Sequence, residues 1–411
     1  MSFCGRQCVV QFAFLVALSA ASTAAQEMTE ADALRRFERE NAQVRALAAR
    51  VREVRAESRA ASLAPNPSVT YTREDSAGTQ DNFLLVQQAL PVTGRLGLLR
   101  RAGDSATSAA QASTNYSLLL LRSEFRLAFY ALLLAQERET HLAKGVNDLE
   151  GILRILRDRE REGEGSKFDQ LRAERELADA RANHASAQVL LAQARSRLAA
   201  MLAPGTEPAS LSAKGEVISG AALPPVQDLV ARALEKRGDL AARKSDLERL
   251  GYEERAAQRL RIPEPVFSAG LKRTTLPGVR DNGYTVSVTV PIPLFNRGQA
   301  EVERTRAAQE RTQSEIAAQR QQIETEVKAS YEGVRLRRRI ANQYAKELGQ
   351  KGVELSRIAQ LAYQEGEQGI LELLDAYRTS LFSRLQVLEM AWSAKQAEIE
   401  LNRAVGEEVL P

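Results

Sequence analysis

Cysteine is almost missing from this 411-residue chain: only Cys4 and Cys8 occur, both within the first 25 residues. That segment reads as a secretory signal, with Arg6 before the apolar run Val9 to Ala20 and the small residues Ala21-Ser22-Thr23-Ala24-Ala25 at a cleavage point. Neither cysteine follows the apolar run, where a lipid-attachment cysteine would stand, so no lipid anchor is expected. The exported chain would then carry no cysteine, which excludes disulfides and thiolate metal sites and leaves packing alone to stabilise it. Aromatic residues are scarce at 5%. Histidine is scarcer still: His141 and His184 stand alone on helical stretches, and Met28, Met201 and Met390 do not cluster, so no catalytic centre, resident metal site or cofactor site is expected. Nor is there an apolar run long enough for a membrane helix beyond the signal. The richest, Leu127 to Ala135, falls well short of the ~20 residues a bilayer requires. Closed β-barrels satisfy the backbone in lipid by another route, so an exported chain of this kind can still be a membrane protein.

Charge of one sign is also lacking. The formal net charge of +4 becomes +3 once Arg6, the only charged residue before Gln26, is removed. Acids and bases alternate along helical stretches, which is the pattern of a solvated face and not of a nucleic-acid surface.

What is present is a pattern told twice, about 200 residues apart. Pro65-Asn66-Pro67 opens an alternating stretch that closes at Leu90-Pro91, and Pro263-Glu264-Pro265 opens another that closes at Val290-Pro291. The clearest strand is Tyr284 to Val290: Tyr284, Val286, Val288 and Val290 face one way, and Thr285, Ser287 and Thr289 the other. One apolar and one polar side is what an outer-membrane strand needs, although a soluble hairpin packed on a helix has the same pattern. Strands are expected at about 67–74, 82–91, 265–273 and 283–292, with Phe83-Leu84-Leu85-Val86 an ambiguous apolar run. The polar stretches Glu74 to Asp81 and Thr274 to Gly283 read as the connections. Four strands cannot close a barrel, since the smallest outer-membrane barrels use about eight, so strands that span lipid must be pooled by several chains.

Each strand pair leads into a long helical pattern. Val327, Val334, Ala341, Leu348, Leu355 and Ala362 recur at sevens, with Ile323, Tyr331, Tyr344 and Ile358 near the second seam position. Leu374, Leu381 and Leu388 do the same on the return arm, and Leu142, Leu149 and Leu156 in the first copy. These are coiled-coil seams. An unbroken helix from Gln299 to Gln364 would be on the order of 100 Å long, a rod that must pack on its return arm and on neighbours. Corners fall at 162–167 and 365–370, where Gly163, Gly165, Gly366 and Gly369 permit tight turns. The organisation expected is a signal at 1–25, a first repeat at 26–202, an irregular connector at 203–225 on the outside of the helices, a second repeat at 226–405 and a tail at 406–411. Glu27 to Ala61 and Val226 to Arg261 read as the helices entering each strand pair, the first capped by Thr29 with Asp32.

Pro65-Asn66-Pro67, Gln88-Ala89-Leu90-Pro91-Val92-Thr93-Gly94, Pro291-Ile292-Pro293-Leu294-Phe295-Asn296-Arg297-Gly298 and Tyr363 through Ala376, in this order and spacing, resemble the TolC family of outer-membrane efflux channels over essentially the whole exported chain. The Pro-Ile-Pro-Leu-Phe-Asn-Arg-Gly run resembles the branch serving heavy-metal resistance pumps. The resemblance implies a mainly α fold with a small β part: a long antiparallel coiled-coil barrel plus four transmembrane strands per chain, assembled as a homotrimer. It implies a passive conduit, not an enzyme, working with a periplasmic adaptor and an inner-membrane pump of the resistance-nodulation-division type. By the same resemblance Tyr363 falls at a gating tyrosine, and Glu372 and Asp375 at two constricting acidic rings. Gln368 falls where the family carries an arginine of the gating link. The adaptor would dock at the corners, at Gly163, Gly165, Ser166, Gly366 and Gly369. A soluble periplasmic coiled-coil scaffold is the competing reading. An adaptor is disfavoured because adaptors carry one helical hairpin and this chain carries two.

Overall fold

The computed structural model describes residues 26–163, 165–217, 220–348 and 351–411. The segment read as a signal lies outside them. Strand β1 (Gln26–Thr29) leads into α1 (Glu30–Glu40) and α2 (Ala42–Ala61), followed by the hairpin β2 (Ser68–Ser76) and β3 (Thr79–Ala89). Then come α3 (Arg95–Arg161), the returning α4 (Lys167–Met201) and β4 (Leu211–Lys214). The second half runs α5 (Val226–Lys236), α6 (Gly238–Gln258), the hairpin β5 (Val266–Leu276) and β6 (Val279–Thr289), α7 (Gln299–Leu348), α8 (Lys351–Gln364) and α9 (Ile370–Val405).

The entry helices differ from the sequence expectation. Glu27 to Thr29 is not helical but pairs in parallel with β4, which gives the supposedly irregular connector a strand of its own. Thr29 does cap α1, its side chain accepting from the Asp32 N–H at 3.3 Å. Helix stops again at Asn41, whose Oδ1 accepts from Gln43 and Val44 while its Nδ2 donates to the Met201 carbonyl at 2.8 Å. A buried side chain that caps one helix and holds another is a better hydrogen-bond solution than continuing the helix through it. Arg237 makes the corresponding break between α5 and α6, paired with Asp239 and, at 2.6 Å, with Glu326.

The four long strands form one antiparallel sheet in the order β2-β3-β5-β6. They reach further than the sequence suggested: the polar stretches taken for connections are themselves strand, closed by two-residue turns at Ala77-Gly78 and Pro277-Gly278. Ladder hydrogen bonds do not depend on side-chain polarity, and Arg73, Asn82, Arg273 and Asn282 stand in one cross-strand row. Ala77 and Gly78 both take positive φ, the geometry whose twist suits a two-residue hairpin. Pro277 with a left-handed Gly278 makes the other turn. Register settles the ambiguous run. Leu84 and Val86 share an exposed face with Val69, Tyr71, Leu271, Tyr284 and Val286, whereas Phe83 and Leu85 are half-buried on the opposite face, with the Lys272 ammonium 5.1 Å from the Phe83 ring centroid.

Helix packing supplies the core. Phe37 stacks on Phe125 at 4.6 Å and joins Phe129, Leu132, Leu198 and Leu211 in one buried cluster. A second cluster joins Leu229, Leu240, Ile323, Val327, Val334 and Leu401. The α7 seam is therefore filled from Ile323 to Ala341, but Leu348, Leu355 and Ile358 remain exposed in the single chain. The rod expected to run unbroken to Gln364 is described as α7 and α8, with residues 349–350 outside the described ones.

Candidate functional site

Both helical corners lie at the same end of the molecule, because α3 and α9 pack side by side there. A third buried cluster forms between them: Leu149, Ile152, Leu153 and Leu156 of α3, Ala173 and Leu177 of α4, Tyr363 of α8, and Ile370, Leu373, Leu374 and Tyr377 of α9. At the first corner Gly163 has φ +80 and closes α3, its N–H reaching the Glu160 carbonyl at 3.1 Å. Gly165 presses on the chain it has just left, since a Cβ there would lie 2.6 Å from the Glu160 nitrogen. Ser166 then caps α4, accepting from the Phe168 N–H. At the second corner Gly366 takes φ +78 and its N–H bonds the Tyr363 carbonyl at 3.2 Å. Gly369, in ordinary extended conformation, precedes α9.

Tyr363 is only 8% exposed and has the Arg159 guanidinium 5.5 Å above its ring. Burial pushes its hydroxyl pKa up. Arg159 belongs to the last turn of α3, so this contact ties the second corner to the first. Gln368 is exposed, and among the described residues it joins the corner through its backbone N–H, bonded to the Ala362 carbonyl at 3.3 Å. The guanidinium at this site thus comes from α3 and not from position 368. Glu372 and Asp375 are both exposed one turn apart on α9, turned away from the cluster that holds Leu373, Leu374 and Tyr377. The Glu372 carboxylate lies back over Gly369, at the N-terminal end of α9, where a negative charge is favoured.

Further ties appear that the sequence did not single out. Arg378 grips Glu176 of α4 with two nitrogens, a charge-assisted bond that raises the arginine's pKa. Arg157 holds Glu174 at 2.9 Å, which keeps that carboxyl below its ordinary pKa. Tyr377 is the other residue missed. The residue is only 8% exposed at the contact of α3 with α9, its hydroxyl finds no hydrogen-bond partner among the described residues, and burial drives its pKa upward. A clue was Gly145 in mid-helix, where a Cβ would come within 2.5 Å of the Tyr377 hydroxyl.

That contact makes a prediction. Gly145→Ala is expected to lower stability by about 1–3 kcal/mol through overpacking. Tyr377→Phe is expected to cost nothing or to stabilise, since it removes a buried hydroxyl that bonds nothing, and it should also rescue Gly145→Ala. Thermal melts of the two single variants and the double variant check this; equal destabilisation in the presence and absence of the hydroxyl would refute the contact. The folded chain keeps the Tyr377 proton where an unfolded tyrosine gives it up near pH ~10. Its contribution is therefore intact below that pH and drains away as pH rises further, so Tyr377→Phe should flatten the alkaline fall in melting temperature.

A cleft of about 610 Å³ opens between α3 and α8, floored by Leu373 and Tyr377 of α9. Its charged groups are mixed, Lys144, Arg154 and Arg357 beside Asp148 and Asp158, and no constellation of nucleophile, base and orienting group appears in it. Among the described residues no group of three or more His, Cys, Asp or Glu side chains is placed to hold a metal ion, and no helix is long and apolar enough to cross a membrane.

Comparison with known proteins agrees with this arrangement. Residues 229–407 match the family model described as "Outer membrane efflux protein". The chain is 27% identical over 355 residues to the cobalt-zinc-cadmium resistance protein CzcC of Cupriavidus metallidurans, covering 84% of this chain and 82% of that one. It is 24% identical over 388 residues to the probable outer membrane lipoprotein SilC of Salmonella typhimurium, covering 89% and 83%. Its fold is similar to the MtrE outer membrane channel of Neisseria gonorrhoeae in its open state, with a TM-score of 0.76 at 18% identity over 100% of this chain and 98% of that one. The chain thus resembles outer membrane efflux proteins over residues 229–407, and its fold as a whole is similar to that of a solved outer membrane channel.

Proposed function

We propose that this chain is the outer-membrane duct of a tripartite efflux system, a passive gated conduit built from three copies of two tandem structural repeats. The observation that carries the reading is the sheet: its four strands expose one apolar face while β2 and β6 are left as unpaired edges. An apolar exposed face suits lipid, and open edges in lipid are forbidden, so the strands must close with those of other copies. Three chains give twelve strands, a workable barrel, and place the exposed Leu348, Leu355 and Ile358 of α7 and α8 against a neighbouring copy.

In this reading Tyr363 and its Arg159 clasp belong to the gate at the periplasmic mouth, with Gln368 beside them. Glu372 and Asp375 form acidic rings around the axis, and the corners at Gly163, Gly165, Ser166, Gly366 and Gly369 receive a periplasmic adaptor that couples to an inner-membrane pump. Metal cations or small toxic compounds are the cargo, with metals favoured by the likeness to a protein named for cobalt, zinc and cadmium resistance. A ring of carboxylates attracts cations without holding them, as a conduit requires.

Outer-membrane fractions should contain the chain as heat-resistant trimers; recovery in the soluble periplasm would sink the duct. In planar bilayers Glu372→Ala with Asp375→Ala should cut the block by multivalent cations by about tenfold or more, in keeping with several lost carboxylates near one axis. Unchanged block would remove both residues from the bore.

A further inference from the structure

Two short segments below the sheet carry exposed apolar side chains that nothing in the helices uses. Where β3 ends, the Val92 N–H bonds the Leu90 carbonyl at 2.8 Å across Pro91; where β6 has ended, the Leu294 N–H bonds the Ile292 carbonyl at 3.0 Å across Pro293. These are the same tight three-residue turn, each closed around a proline that cannot donate to a ladder. Leu90, Val92, Ile292 and Leu294 are all exposed, and Phe295 is 91% exposed. Side-chain alternation puts Leu90 on the face of Leu84 and Val86, and Ile292 on that of Tyr284, Val286 and Val288. The apolar face of the sheet therefore continues past the last ladder bond into a collar.

A neighbouring copy does not account for this collar. β3 is an interior strand, flanked by β2 and β5, yet Leu90 and Val92 in the turn that follows it are exposed, as are the apolar residues after edge strand β6. Basic residues lie immediately on the helical side. A cleft of about 320 Å³ brings Arg95 and Arg259 together with Ile292 and Pro293, and includes Glu264, whose carboxylate is already engaged by the Thr93 hydroxyl at 2.6 Å. Arg259, Arg261 and Arg297 are exposed, and none of them pairs with a carboxylate among the described residues. Apolar side chains on one level and unpaired guanidinium groups on the next match the level at which acyl chains give way to phosphates.

We infer that this collar is a membrane-interface anchor: Leu90, Val92, Ile292, Leu294 and Phe295 enter the periplasmic leaflet of the outer membrane, and Arg259, Arg261 and Arg297 bind the headgroups of its anionic glycerophospholipids. The inference rests on the sheet spanning lipid. It gives the protein a fixed depth in the membrane, because hydrocarbon on one side and phosphate on the other oppose sliding in either direction.

Both native cysteines lie in the segment read as removed on export, so single cysteines can report position. Leu294→Cys, Phe295→Cys, Val286→Cys and Ser314→Cys would carry an environment-sensitive fluorophore in full chains reconstituted into phosphatidylcholine vesicles with or without phosphatidylglycerol. Labels at 294 and 295 are expected to be quenched by lipids with a shallow nitroxide, the label at 286 by a deep one, and the label at 314 by neither. Quenching at 286 without quenching at 294 and 295 would overturn the collar and leave the spanning sheet intact. No quenching at 286 would end the spanning reading, and the collar with it. For the basic level, a nitroxide borne on phosphatidylglycerol should quench the 295 label at least about twofold better than one borne on phosphatidylcholine, a preference lost when Arg259, Arg261 and Arg297 are changed to Gln. Equal quenching by both lipids in the unchanged protein would overturn headgroup recognition.

Discussion

Replacing Glu398 by Ala is expected to cost about 3–5 kcal/mol, enough to unfold the middle of the helical body. Glu398 is 1% exposed and sits between two cations: Lys395, itself 2% exposed, at 3.2 Å, and the Arg338 guanidinium, whose Nε donates to it at 2.6 Å. Lys395 is also seated over the Tyr130 ring at 4.5 Å, and burial lowers its pKa despite the carboxylate beside it. Removing this carboxylate leaves the Lys395 ammonium and the Arg338 guanidinium buried without it, which is far more costly than losing the net worth of an ion pair. Glu398→Gln keeps an acceptor and should cost less. Lys395→Met placed on Glu398→Ala should recover part of the loss, because it removes one of the two cations left without their carboxylate. Chemical denaturation followed by far-UV circular dichroism would measure all three. A Glu398→Ala protein as stable as the parent would show that water reaches this network.

The second large effect is expected at Gly270. A Cβ there would come within 2.0 Å of the Leu84 carbonyl oxygen and 2.8 Å of the Leu85 Cα, both on the backbone of β3. Backbone cannot turn aside as a flexible side chain can, and β3 with β5 is the only pairing that joins the two hairpins into one sheet. Gly270→Val should therefore part the hairpins, at about 3 kcal/mol or more, the upper end of the overpacking range. The helices fold against one another elsewhere, so most far-UV signal should survive while the amount of heat-resistant assembly in outer-membrane extracts falls at least about tenfold. Normal assembly of Gly270→Val would mean that the two hairpins need not touch to insert.

Much of this was legible from residue order. Strict alternation from Tyr284 to Val290 announced a two-faced strand, and spacing by sevens marked the buried seam through Ile323, Val327, Val334 and Ala341. The corners announced themselves by glycine. Local signals failed where a side chain serves a distant part of the chain. Asn41 reads as an unremarkable helix residue until Met201 is beside it, and Gln26–Thr29 has no strand character until β4 offers a ladder. At the candidate site, positions 363, 372 and 375 could be singled out from the sequence, but the arginine above Tyr363 could not, because it lies some two hundred residues away on α3.

The sequence by itself determined the repertoire: long amphipathic helices, short two-faced strands, tight glycine corners and thiols confined to Cys4 and Cys8. Periodicity and turn chemistry are local properties, and a few neighbouring residues suffice to express them. Only the tertiary structure decided which faces were spent inside the chain and which were left open. It filled the α7 seam as far as Ala341 and left Leu355 and Ile358 bare; it paired β3 with β5 and left β2 and β6 as edges. Those choices depend on contacts between segments far apart in sequence, whose free energy appears only when both are present, and no single stretch of residues encodes them.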